Sequence, residues 1–390
     1  MRPMSTPLIG TPNDDGFDGE EILAGIREWI GVESPTIHPP GVNRMMDLAE
    51  QAMRTVGAEI ERIPGTDGYA DVVKARIPGR KDGPGILVLG HLDTVHTLGT
   101  LDGPLPMRRD GDRFYGPGTY DMKGGMYLAC HAMRRVVERS GGPELPVTFM
   151  FIPDEEVGSP STRRLIEEEA QRSAFVLVPE PAKGEDGRVV TGRHAFLRYK
   201  LRVHGQPAHA GSENNRLGRS AVRAMANLIE QIESWSDRSR GQTYSVGVVR
   251  GGTFVNVIPI ECYAEVLCVA PSEADMDLVR ARMAGLAGEA DGVRVEVEAG
   301  SVRPLFRPHA GTLDLFETAR GVAADLGFDL QHGQFGGGSD GNFTGALGIP
   351  TLDGLGVRGD GAHTHGEHLL VSSLGPRARP LAGMFERLGN

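Results

Sequence analysis

His91-Leu92-Asp93 follows the apolar run Gly85-Ile86-Leu87-Val88-Leu89-Gly90, and Asp154-Glu155-Glu156 follows Val147-Thr148-Phe149-Met150-Phe151-Ile152. Glu180 comes just after a third such run at 174–178, and His363 follows a fourth at 349–352. Asp121 sits in the glycine-rich turn Y-G-P-G-T-Y-D-M-K-G-G (115–125), ahead of Met126, Leu128, Ala129, Met133 and Val136 at helical spacing. Imidazole and carboxylate are ligands for a borderline divalent metal, and open α/β sheets place sites beyond the carboxyl ends of their strands. A lone His or a D-E-E turn is ordinarily a solvated loop. Four strand ends, each finishing in His, Asp or Glu, predict a metal centre.

The elements that must position these residues are legible as periodicity. Helical spacing covers 22–30 and 45–60, with Pro39-Pro40-Gly41 as punctuation between them. Strands are expected at 70–77, 86–89, 146–152 and 174–178, and helices at 123–139 and 161–171. Uninterrupted apolar strands alternating with helices predict an α/β fold, a mostly parallel sheet with helices on both faces. Near Gly192 the pattern changes. Strands at 194–204, 243–249, 260–269 and 293–297 with helices at 217–235 and 273–287 read β-α-β-β-α-β, a ferredoxin-like α+β insertion. The α/β pattern resumes near 306 with a helix at 313–326, the glycine loop 336–341, the His-rich loop 363–368 and a closing helix near 373–388. The expected division is 1–191 and 305–390 for the catalytic domain and 192–304 for the insertion. A chain of 390 residues suits two domains. Residues 1–20 read as a loose polar lead-in.

Bulk properties exclude some partners. A net charge of -11 without a basic block argues against nucleic acid and anionic membranes. The three cysteines, Cys130, Cys262 and Cys268, are too scattered for a disulfide framework, so buried core thiols in a reducing cytoplasm are expected. Neither a signal peptide nor an apolar stretch of roughly 20 residues is seen, so no membrane span is expected.

Seven ordered motifs carry a family resemblance: G-H-L-D-T-V (90–95), G-P-G-T-Y-D-M-K-G-G (116–125), P-D-E-E-V-G-S (153–159), P-E-P (179–181), G-Q-P-A-H-A-G (205–211), N-V-I-P (256–259) and G-A-H-T-x-x-E (361–367). Over roughly residues 20–389 the chain resembles the co-catalytic metallopeptidases that include glutamate carboxypeptidase, aminoacylase and succinyl-diaminopimelate desuccinylase. The glutamate carboxypeptidase branch is the nearest. The resemblance implies a metal-dependent exopeptidase-like catalytic domain and an inserted dimerisation (lid) domain. Asp121 then resembles the carboxylate bridging two divalent ions, with His91 and Glu180 completing one site and Glu156 and His363 the other. Zinc suits these ligands, and cobalt or manganese are also accepted. Two ions about 3.5–4 Å apart would hold a hydroxide and polarise the scissile carbonyl. Glu155 resembles the general base, and Asp93 the carboxylate that fixes the His91 tautomer.

The resemblance also has His209 reaching into a partner subunit's site to stabilise the oxyanion, which implies a homodimer. The alternative is a loop histidine at a helix start. Asn256 resembles a substrate contact, or else a strand-end turn. His365 and His368 read as loop neighbours, and His96 and His194 as ordinary packing residues.

One segment departs from the family. The branch usually continues N-V-I-P with A-E-V-D-V-R, whose arginine grips the substrate carboxylate; here Ala264-Glu265-Val266-Leu267-Cys268-Val269 stands instead. Valine cannot make a guanidinium–carboxylate clamp. Arg188 and Arg303 are the remaining candidate carboxylate binders, and the 336–341 loop, Gly337 included, is expected to line the pocket by close backbone approach. The expected function is metal-dependent hydrolysis of a C–N bond in a small molecule such as an N-acyl amino acid or dipeptide-like conjugate. Hydrolytic deamination of a small aromatic amine is the alternative within enzymes. A non-catalytic binding protein is the third reading.

Overall fold

The computed structural model describes residues 16–389, so most of the expected N-terminal lead-in lies outside the described residues. The chain opens with helix α1 (Gly19–Ile30), capped by Asp18, whose carboxylate accepts the amides of Glu20 (2.7 Å) and Glu21 (3.1 Å). Its residues Ile22, Ile26, Trp29 and Ile30 recur at helical spacing and are all buried. Helix α2 (Pro39–Thr55) begins on the Pro39-Pro40 pair that the sequence suggested as punctuation. Proline suits a first turn because its missing N–H would have had no helical partner. The helix also stops earlier than its apolar spacing suggested: Gly57 takes φ 78°, and strand β1 (Glu59–Ile63) follows.

Strands β2 (Val72–Ile77), β3 (Gly85–His91), β4 (Arg108–Asp110) and β5 (Arg113–Tyr115) come next, then helix α3 (Lys123–Ser140), closed by Gly141 in the left-handed region. Strand β6 (Val147–Ile152), helix α4 (Arg163–Ala170) and strands β7 (Ser173–Leu177) and β8 (Val189–Arg193) lead to the change of pattern near Gly192. Beyond it lie β9 (Ala195–His204), α5 (Ala221–Ser234), β10 (Thr243–Gly251), β11 (Glu261–Ala270), α6 (Glu273–Ala284), β12 (Gly288–Ala290) and β13 (Val293–Arg303). The chain then passes through α7 (Ala310–Asp325), β14 (His332–Phe335), α8 (Gly341–Ala346), β15 (Thr351–Leu352), β16 (Gly359–Asp360) and β17 (His368–Leu370) to the closing helix α9 (Leu374–Arg387).

These elements form two compact units. The first runs to Thr191 and resumes over His309–Gly333 and from Leu347; the second comprises Gly192–Pro308 and Gln334–Ala346. The second unit therefore takes in a segment, and with it the 336–341 loop, that the sequence suggested for the catalytic domain. Side chains explain the difference. Asn342 Nδ2 donates to the carbonyls of His194 (3.0 Å) and Pro304 (2.7 Å), and Arg303 pairs with Asp340 (3.3 Å).

In the first unit a six-stranded sheet has the order β1-β2-β6-β3-β7-β15. Strand β3 is parallel to both β6 and β7, and β15 is parallel to β7, whereas β1 and β2 join antiparallel at one edge. The fold is thus α/β with a mixed sheet. Its core includes Trp29, Val88, Met126, Phe149, Phe151, Leu381 and Phe385. Four neighbouring parallel strands direct their carboxyl ends to one edge; His91 ends β3, Glu155 and Glu156 follow β6, and Glu180 follows β7.

The second unit is an antiparallel sheet ordered β10-β11-β9-β13-β12. With α5 after β9 and α6 after β11, this is the ferredoxin-like split β-α-β arrangement. Leu197, Leu201, Met225, Ile232, Val266 and Val279 are among its core residues. The alternating burial of β9 and β11 shows one face of the sheet packed and the other open.

Candidate metal centre

His91 is the last residue of β3 and is almost fully buried. Its ring is held from behind: Nδ1 lies 2.9 Å from the Asp93 carbonyl and 3.3 Å from Asp93 Oδ1. In the neutral ring that would bind an ion, a proton on Nδ1 satisfies both oxygens and leaves the Nε2 lone pair facing forward. There Nε2 lies 3.2 Å from Asp121 Oδ1 and 3.7 Å from Glu180 Oε1. On the other side of Asp121, Oδ2 lies 3.4 Å from His363 Nε2, which is also 3.1 Å from Glu156 Oε2. Two triads, His91–Asp121–Glu180 and His363–Asp121–Glu156, therefore share the two oxygens of one carboxylate.

Asp93 does more than orient His91. Its buried carboxylate accepts Thr36 Oγ1 (2.6 Å) and the amides of Glu155 (3.2 Å) and Glu156 (3.3 Å). One side chain thus ties the imidazole at the end of β3 to the turn after β6. That turn, Glu155–Val157, is a single 3₁₀ turn ending at Gly158 with φ 98°.

The Asp121 loop is set by glycines and by Glu367. A Cβ on Gly125 would lie 1.9 Å from the Pro179 carbonyl, so only glycine lets the start of α3 approach the end of the β7 segment this closely. The Asp121–Met122 peptide is cis. Glu367, quoted in the sequence only as part of a motif, is buried and accepts the amides of Gly118 (3.1 Å), Tyr120 (2.9 Å) and Asp121 (3.0 Å). It also lies 2.6 Å from Nε2 of His96, which is buried and belongs to this network rather than to general packing. Nothing in local spacing marks His96, because its partner is 271 residues away. Lys123, in the first turn of α3, is also fully buried and donates to the Val32 carbonyl at 2.6 Å; burial pulls it down to about 7.

His363 has φ 64° in the turn that begins at Gly361, where Thr364 N and Oγ1 both donate to the Gly361 carbonyl. A non-glycine residue in this region is strained by about 1–3 kcal/mol and persists where its surroundings fix it. Of the neighbouring histidines, His368 turns Nδ1 to the Gly366 carbonyl (2.8 Å) and its ring to Tyr115 (5.1 Å).

The donor set fits divalent metal. One ligand atom from each of His91, Asp121 and Glu156 lies within 4.8 Å of the others. Crowded carboxylates need a compensating cation, which a divalent ion at these ligands would supply. Burial pushes Glu156 up to about 7. Hydrogen bonds to Asp121 and Glu156 raise His363 to about 11. Burial also acts against the charged forms of Asp121 and His91. It is outweighed in Asp121 by hydrogen bonds from His363 and His91, which hold the carboxyl low, and in His91 by Asp121 and Asp93, which hold the imidazole high.

The remaining expected residues lie elsewhere. Arg188, in the first unit, is exposed and pairs with Asp186 at 2.7 Å. His209, Asn256, Arg303 and Gly337 all belong to the second unit. His209 and the N-V-I-P segment are brought together there. His209 bridges Val257, the Ala210 amide donates to the Asn256 carbonyl (3.0 Å), and the Ile258 amide donates to the Ala208 carbonyl (2.9 Å). His209 is exposed, and its Nδ1 accepts the Gly211 amide (3.1 Å), which assigns the proton of the neutral ring to Nε2. Arg303 is buried rather than a surface cation, with Asp340 beside it. The Gly337 carbonyl accepts from Nη1 of the buried Arg193 at 2.8 Å. Val269, where the family has arginine, lies on the face of β11 opposite Cys262, Ala264, Val266 and Cys268, which fill the core.

The sequence profile of peptidase family M20/M25/M40 matches residues 87–387. Carboxypeptidase G2 from Pseudomonas sp. (strain RS-16) is 27% identical over 377 residues, covering 94% of this chain and 89% of its own length. Among solved structures, aminopeptidase PepT from Bacillus cereus superposes with a TM-score of 0.73 at 20% identity, over 96% of this chain and 99% of that one. The M20 family metallo-carboxypeptidase Sso-CP2 from Sulfolobus solfataricus gives a TM-score of 0.71 at 16% identity, over 94% and 98%. At these identities the two structures speak for the fold.

Proposed function

The chain belongs to peptidase family M20/M25/M40 and is a metallohydrolase acting on C–N bonds; from that premise we propose that it is a dinuclear, homodimeric hydrolase of N-acyl amino acids or dipeptide-like conjugates. The observation that carries the dinuclear reading is the sharing of Asp121 by the two triads. His91, Asp121 and Glu180 would hold one ion, and His363, Asp121 and Glu156 the other. Zinc is the ion this set suits, with cobalt or manganese as substitutes. When bound, such ions polarise the scissile carbonyl and lower the pKa of a water.

The chain's own groups do the rest. Asp93 keeps His91 in the tautomer that presents Nε2. It also fixes the backbone of Glu155 and Glu156, so that two adjacent carboxylates can take separate tasks. Glu156 serves as a ligand, while Glu155 accepts the water's proton and delivers it to the leaving nitrogen. His209 Nε2–H, supplied by the partner subunit, stabilises the developing oxyanion, and Asn256 on the adjoining segment contacts the substrate. A dimer is supported by exposed apolar residues of the second unit, Leu217, Val222, Val249, Phe254 and Val255.

The relative named carboxypeptidase supports a substrate with an α-carboxylate, and Arg188 or Arg303 would bind it in place of the missing arginine, with the Gly337 loop lining the pocket. The apolar pair Leu267 and Val269 favours a second reading, hydrolytic deamination of a small aromatic amine. A screen of the metal-loaded protein separates them: N-acyl amino acids against matched amides lacking the carboxylate. Turnover of the carboxylate set alone is expected. Equal turnover of both sets, or of neither, contradicts it and turns the search to aromatic amines.

A further inference from the structure

Helix α9 buries a cation that the chemistry above does not use. Arg377 is 9% exposed, and no carboxylate forms an ion pair with it among the described residues. Its guanidinium donates in three directions: Nε to the Gly356 carbonyl (2.8 Å), Nη2 to Gly354 (2.5 Å) and Nη1 to Gly187 (2.9 Å). Burial pulls it down to about 10, so it is charged at neutral pH.

Two of the carbonyls it binds, Gly354 and Gly356, belong to the segment that packs on Glu180. The Gly356 amide donates to the Glu180 carbonyl (2.9 Å), the Leu355 amide to Val178 (3.2 Å) and the Ala182 amide to Val357 (3.1 Å). A Cβ on Gly356 would lie 2.2 Å from the Pro179 carbonyl and 2.8 Å from that of Glu180, so the two segments are in direct contact. Gly187 lies at the far end of the loop that leaves Glu180. A desolvated guanidinium holds tightly to whatever acceptors it has, because losing one leaves a buried donor unpaired. Its rigid planar fork also fixes the acceptors relative to one another, which a lysine cannot do.

We propose that Arg377 is a positioning residue for Glu180: it clamps the 354–356 segment to the end of the 180–187 loop and thereby fixes the Glu180 carboxylate beside His91. This rests on the reading of Glu180 as a metal ligand.

The test uses the zinc-loaded protein and its R377M, R377K, E180A and R377M/E180A variants. Lys74→Met is the control, since it breaks a buried 2.7 Å pair with Glu169 in the same unit. Each is equilibrated with a graded zinc chelator at a temperature where circular dichroism shows it folded, and zinc retained per chain is measured. R377M should weaken one of the two ions by about 10–100-fold, as loss of a ligand's supporting partner does. R377K should fall between R377M and the wild type, and K74M should match the wild type. R377M/E180A should be no weaker than E180A alone. If E180A keeps both ions at full affinity, the ligand reading itself fails. If E180A loses one ion while folded R377M holds both as the wild type does, or if K74M weakens binding as much as R377M, the positioning role is overturned. Should R377M not fold, R377K carries the same comparison.

Discussion

Glu367 accepts the backbone amide of Asp121 at 3.0 Å, a contact between residues 246 apart in the chain. The same carboxylate binds the amides of Gly118 and Tyr120 and the ring of His96, so it shapes the loop that presents the shared carboxylate. Glu367→Ala would leave several buried donors unsatisfied. We expect it to cost on the order of 3 kcal/mol in a denaturant titration of the metal-free protein. Glu367→Gln, which keeps acceptor oxygen but offers an NH₂ where a second acceptor is needed, should fold and bind zinc about 10–100-fold more weakly. Wild-type zinc affinity in the glutamine variant would remove Glu367 from the positioning of Asp121.

Asp121 itself supports a sharper expectation. Because its two oxygens face different imidazoles, Asp121→Ala should release both ions, whereas His363→Ala should release one. Elemental analysis of protein freed of loose metal checks both. A single ion lost from Asp121→Ala would mean that the carboxylate does not bridge.

The strand ends were legible in the sequence because two signals coincide there. Apolar runs predict β3, β6 and β7, and His91, Glu155, Glu156 and Glu180 are the chemistry-bearing residues just beyond them. What escaped the reading is non-local. His96 and Glu367 meet only in the folded chain, and the Asp93 carboxylate reaches amides more than 60 residues away. The extension of the second unit over Gln334–Ala346 rests on Asn342 and Asp340, polar side chains that leave no trace in hydrophobic periodicity. The Pro39-Pro40 pair starts α2 although its composition equally suggests a break, because proline signals both.

His209 gives a test of the dimer. If it serves the partner's site, His209→Ala and Glu155→Ala homodimers should each be nearly inactive, and mixing them should create heterodimers with one working site. Activity on mixing, followed over the time of subunit exchange, checks this. Verified heterodimers without recovered turnover would instead assign His209 a role within its own chain.

In the proposed reaction a metal centre and a separate general base, Glu155, cleave the bond together. This is tested most directly by measuring metal content and the rate of amine release from an N-acyl amino acid in Glu155→Gln. Two ions per chain are expected, as in the wild type, with turnover lower by about 10²–10⁴-fold. Turnover equal to the wild type would contradict the role of Glu155. Loss of the ions along with activity would make it a ligand instead.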